Sequence, residues 1–69
     1  MVHVINGQII NMSRYDSAQR MPKTEAYPIR IGFFRGSDEE EYVSFDSIPD
    51  RDVAWHQLLA EIQRQFNHN

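Results

Sequence analysis

The sequence predicts a two-layer α+β fold: an antiparallel β-sheet of two hairpins (ββββ) with one C-terminal α-helix packed on one face. Three observations carry that expectation. Ser47 to Phe66 places its apolar residues at helical spacing, Val2–Ile5 and Gln8–Met12 are β-rich runs about an Asn-Gly pair, and Ile29–Arg35 and Glu41–Asp46 are alternating runs about a glycine-containing turn. At 69 residues these elements form one domain spanning the chain.

The helix is the element against which the rest must pack. On a 3.6-residue turn Ile48, Trp55, Leu59, Ile62 and Phe66 fall in one stripe, with Leu58 at its edge and Val53 on the polar side. Ser47 and Asp50 have capping-box spacing, Pro49 lies in the first turn where its missing N–H is harmless, and Asp50 and Asp52 stand at the positive end of the dipole. Arg64 and His68 stand at the other end, where positive charge is favoured.

At the N-terminus, Asn6-Gly7 signals a type I′ turn, which needs positive φ at both central positions and matches the twist of the flanking strands. A two-residue turn fixes register, pairing Ile5 with Gln8, Val4 with Ile9, His3 with Ile10 and Val2 with Asn11. One face then shows Val2, Val4 and Ile9, and the other His3, Ile5, Ile10 and Met12. Both faces are apolar, so this hairpin wants cover on two sides and a single helix can supply only one.

Between residues 13 and 28 the pattern is weakest. Tyr15, Ser17, Gln19 and Met21 alternate as a strand continuing to about Arg20, although Tyr15, Ala18 and Met21 also fit one helical turn. Pro22 to Glu25 reads as a loop, and Pro28 pushes Tyr27 towards an extended conformation. In the second hairpin, alternation puts Ile29, Ile31, Phe33, Val43 and Phe45 against the helix and Arg30, Gly32, Phe34, Tyr42, Ser44 and Asp46 on the opposite face.

So short a chain buries only about 60% of the surface its unfolded form exposes. There are no cysteines, so disulfides are excluded as a supplement and oligomerisation is favoured. No signal pattern or apolar run of membrane-spanning length is seen, and a cytoplasmic location with no membrane partner is expected. The net charge of −3 is unevenly spread: five positive against two negative residues in 1–37, two positive against eight negative in 38–69. Unless the halves interleave in space, the molecule is electrically polar.

No catalytic constellation is visible, and no enzyme activity, metal or cofactor is expected. His3, His56 and His68 are scattered, no cysteine nucleophile exists, and Gly7, Gly32 and Gly36 form no phosphate loop. The run Asp38, Glu39, Glu40 and Glu41 lacks the alternating spacing of a calcium loop and reads as a solvated acidic hairpin tip, or as a negative finger for a basic partner. Gly32 inside a strand marks a place where a ring or another backbone comes close.

Around it, Phe34, Tyr42 and Arg30 form an aromatic surface with a cation, the combination that stacks single-stranded nucleic acid. In strand order and helix position the chain resembles the ββββα repeats of Pur-type and whirly-type single-strand binders. The resemblance is one of topology, spans most of the chain, and implies nucleic-acid binding through the open sheet face. The acidic second half departs from the basic surface those families present.

The preferred expectation is a small non-catalytic protein-interaction module, a homo-oligomer (dimer or higher) that regulates or inhibits an unidentified partner protein in the manner of phage-type inhibitors of host defence. Its contact surface is assigned to Phe34, Tyr42, Arg30, Gly32, Ile5 and Ile10. The alternatives are a single-stranded nucleic-acid binder, and a ligand or enzymatic site assembled at a subunit interface.

Overall fold

The computed structural model describes residues 2–66, with side chains through Arg64. The chain runs through β1 (Val2–Ile5), β2 (Gln8–Asn11), a 3-10 turn (Met12–Arg14), β3 (Ser17–Met21), β4 (Ile29–Arg35), β5 (Glu39–Phe45) and α1 (Ile48–Phe66). It is an α+β fold, with the strands divided between a two-stranded sheet, β1-β2, and a three-stranded sheet, β3-β4-β5.

The first hairpin has the register the two-residue turn dictates, with Val2 opposite Asn11, His3 opposite Ile10, Val4 opposite Ile9 and Ile5 opposite Gln8. Asn6 and Gly7 take φ of 49° and 79°, the left-handed pair a type I′ turn requires. Two side-chain amides then dock the hairpin on β5. Asn6 Nδ2 donates to Ser44 O at 2.7 Å and Gln8 Nε2 to Tyr42 O at 3.3 Å.

Residues 15–21 do not continue β2. Asn11 Oδ1 accepts from Ser13 N at 3.1 Å and Tyr15 N donates to Met12 O at 3.3 Å, turning the chain before a strand forms. The alternating stretch is a strand from Ser17, but it pairs with β4 in the other sheet.

Ile31, Phe33, Val43 and Phe45 from β4 and β5, Ile5 and Ile10 from the hairpin, and Leu58 from the helix make one buried cluster. The helix start is as expected, with Asp50 N donating to Ser47 Oγ at 3.2 Å. Its rotation is not. Leu58, placed at the edge of the stripe, is 1% exposed, whereas Ile48, placed within it, is 52% exposed. The buried face centres on Ala54, Leu58 and Ile62, roughly 60° around the axis from the expected line at 100° per residue. Ile48 occupies the first helical position, three residues after the last residue of β5. Phe66's place in the stripe and His68 lie outside the described side chains.

The basic and acidic halves interleave. Arg14 bonds Glu39 at 2.9 Å and Arg20 approaches Asp52 at 3.6 Å, so part of the charge asymmetry of the sequence is paired across the two halves.

Candidate interaction surfaces

The outer face of the three-stranded sheet brings four of the expected residues together. Gly32 stands opposite Tyr42 on β5, with Arg30 and Phe34 two positions away on the same face of β4. The Phe34 ring folds across Gly32, where an added Cβ would meet its Cζ at 2.7 Å, and stands edge-on to Tyr42 at 5.9 Å. The close approach predicted at Gly32 is therefore made by the chain's own ring.

Tyr27, which the sequence did not single out for this surface, completes it. Thr24 N donates to Tyr27 O at 3.0 Å and Tyr27 N to Thr24 Oγ1 at 3.1 Å, closing the loop so that the tyrosine ring returns over the sheet. The Arg30 guanidinium is held between Tyr27 at 4.2 Å and Tyr42 at 3.9 Å. Cation–π attraction of roughly 0.5–2 kcal/mol per ring offsets the cost of partly desolvating the cation. Arg30 Nε is buried without a hydrogen-bond partner among the described residues. The Tyr42 hydroxyl donates to Glu40 Oε2 at 2.9 Å, and that bond raises its pKa. Phe34 and Tyr42 meet edge to face, Tyr27 and Tyr42 hold Arg30, and the Glu40 carboxylate lies beside them.

Ile5 and Ile10 are corrected. They are 4% and 0% exposed and pack with Ile31, Phe33, Val43 and Leu58, so the folded chain has no outward surface at these positions. The hairpin turns its Ile5/Ile10 face into the core, where both side chains join the cluster with Val43 and Leu58. The unsheltered surface is the reverse face: Val2 at 62%, Val4 at 68% and Ile9 at 68% exposed. The register alone identified those three as one face; packing decided which face was left outside.

The acidic run is also not a bare tip. Glu39 begins β5, and only Asp38 stays in the turn. Glu39 holds Arg14, Glu40 accepts from Tyr42, and Glu41 accepts from the Tyr15 hydroxyl at 2.5 Å and from Gln8 Nε2 at 3.1 Å. Alternation along the strand sends Glu40 to the outer face and the other two towards the hairpin and the 3-10 turn, which they fasten. The Arg14 and Tyr15 pKa values are raised chiefly by these bonds to Glu39 and Glu41.

A third surface lies between β3 and the helix, an open groove of about 620 Å³ lined by Met12, Tyr15, Ala18, Trp55, Leu59 and Ile62 among others. Its origin is simple. β3 is the outer strand of its sheet, the helix rests over β4 and β5, and Ala18, opposite Phe33, is too small to close the gap. Arg20 lies over Trp55 at 5.5 Å and faces Asp52, which Arg51 Nη2 also bonds at 3.0 Å, and Asp16 is among the lining residues.

Among the described residues no group of three or more His, Cys, Asp or Glu side chains could hold a metal ion, and no helix is long and apolar enough to cross a membrane. Comparison with protein-family models, with curated proteins and with solved structures finds no match to this chain.

Proposed function

We propose that this chain is a small non-catalytic interaction module that self-associates and, as an oligomer, regulates or inhibits a partner protein. The observation that carries the reading is the outer face of the first hairpin, where Val2, Val4 and Ile9 stand side by side, each more than 60% exposed. Scattered apolar residues need no explanation, but three large ones in register on one face of a marginal domain favour association. Burial of apolar surface is the main driving force of such contacts.

Sedimentation equilibrium of the purified chain at micromolar concentration tests it. A dimer or larger species is expected, and a monomer throughout the accessible range would refute self-association. The single-strand reading is less well supported. Tyr42 is occupied by Arg30, Glu40 adds negative charge to the same face, and the phosphate attraction that dominates nucleic-acid affinity has no basic field to supply it.

A further inference from the structure

Among the described residues two apolar features have no partner: a projecting face on the hairpin and a groove beside β3. They are complementary in kind. The face is a ridge of branched aliphatic side chains, Val2 and Val4 two residues apart on β1 and Ile9 opposite Val4 on β2. The groove offers rings and aliphatic chains, Tyr15 and Trp55 with Leu59 and Ile62, and Asp16 is the one ionic residue among those lining it. Val2, Val4 and Ile9 carry no formal charge, so they can enter the groove without stripping water from an ion of their own.

Backbone geometry points the same way. β3 is an outer strand, and both strands of a two-stranded sheet have an unpaired edge. A strand laid along β3 gains main-chain hydrogen bonds while alternate side chains drop into the adjoining groove, the usual logic of strand addition.

We infer that the groove between β3 and α1 is the receptor for the hairpin of a second copy, so that Val2, Val4 and Ile9 of one protomer seat on Trp55, Leu59 and Ile62 of its partner. The inference rests on the self-association proposed above and names the two surfaces that meet. Made in both directions across a two-fold axis, ridge to groove and groove to ridge, the contact closes as a dimer with no patch left over. A face-to-face pairing of two hairpins would cover the ridges and leave both grooves open; the ridge-to-groove contact covers both features at once.

Two variants and their mixture test it. Val4→Glu with Ile9→Lys removes the ridge while placing opposite charges at a cross-strand pair, which protects the hairpin. Leu59→Glu blocks the groove at a half-exposed helix position with a good helix former. Circular dichroism confirms folding of each; should Leu59→Glu not fold, Ala18→Leu fills the groove instead. Each variant alone should self-associate about tenfold or more weakly than the parent chain, the loss of a contact worth about 1.4 kcal/mol. The two mixed should form a one-to-one heterodimer, because one ridge and one groove remain intact. If the groove variant self-associates as the parent does, or the mixture stays monomeric, the ridge-to-groove contact is overturned while self-association stands. If the parent chain is itself monomeric, self-association and the contact built on it both fall.

Discussion

Gly32→Ala tests the packing of the outer sheet face through a pair of side chains rather than through the backbone. Gly32 has no left-handed φ, so alanine suits its backbone and would by itself contribute about 0.5–1 kcal/mol by reducing the freedom of the unfolded chain. The new Cβ would lie 2.7 Å from Phe34 Cζ, 2.9 Å from Phe34 Cε2 and 3.0 Å from Tyr42 Cε1. Contacts under 3.0 Å do not persist, and the Phe34 ring must swing off the sheet. Overpacking of this size costs about 1–3 kcal/mol, which leaves a net loss of about 1 kcal/mol after the backbone gain. With a urea slope of about 1 kcal/mol/M for so small a chain, the midpoint should fall by about 1 M. In a Phe34→Ala background two of the three close contacts vanish, and the same substitution should be neutral or stabilise by about 0.5 kcal/mol. Urea unfolding of the four proteins in the cycle measures the coupling directly. Equal effects of Gly32→Ala in both backgrounds would show that Phe34 does not lie over Gly32, and the account of this face would fail.

Leu58→Ala should cost about 2–5 kcal/mol because Leu58 is 1% exposed, whereas Ile48→Ala should stay within about 0.5 kcal/mol; the reverse order in thermal unfolding would mean the helix presents its sequence-predicted face. Ser47→Ala should lose about 1 kcal/mol of stability with the bond from Asp50 N, and an unchanged denaturation midpoint would discount the cap. Gly7→Ala should destabilise by about 1 kcal/mol because its φ of 79° disfavours a side chain, read again by urea midpoint. Tyr15 and Tyr42 have raised pKa values from their bonds to Glu41 and Glu40, so the folded state keeps protons that the unfolded state releases near pH 10. Their contribution is therefore present below about pH 10 and is lost as pH rises through the folded values, and a Tyr15→Phe/Tyr42→Phe variant should lose less stability between about pH 9 and 11 than the parent chain.

What could be read from the sequence was set by local chemistry. The Asn6-Gly7 turn dictates its own register, Ser47 declares the helix start, and strict alternation in β4 and β5 assigns Ile31, Phe33, Val43 and Phe45 to the core before any packing is known. What could not be read depends on choices between similar alternatives. Both hairpin faces are apolar, so only the fit of Ile5 and Ile10 against Val43 and Leu58 decides which faces inward. Leu58 and Leu59 are adjacent, and a rotation of roughly 60° about the helix axis decides which of them is buried deepest. Tyr27 reaches Arg30 by a loop whose closure rests on Thr24, a residue with no apolar signal. The groove arises from the smallness of Ala18 at the outer strand, visible only once strand order is known.

The hairpin's exposed ridge follows from how the hairpin is attached. Had β2 continued into a single sheet with β5, ladder hydrogen bonds would have aligned the hairpin with the larger sheet, and one helix could have served a common inner face. Instead the outward carbonyls of Tyr42 and Ser44 are taken by the side-chain amides of Gln8 and Asn6. Side-chain bonds satisfy the edge of β5 against stray strands but do not extend the sheet, so the hairpin becomes a layer of its own. A layer that packs by one face leaves its other face open, and among the described residues no element lies over Val2, Val4 and Ile9. The sequence nevertheless places Val2, Val4 and Ile9 there, where a threonine or lysine would serve a solvated strand equally well. Three aliphatic side chains on that face cost solvation that a threonine or lysine would not, so Val4→Thr with Ile9→Thr should leave the fold intact and raise solubility.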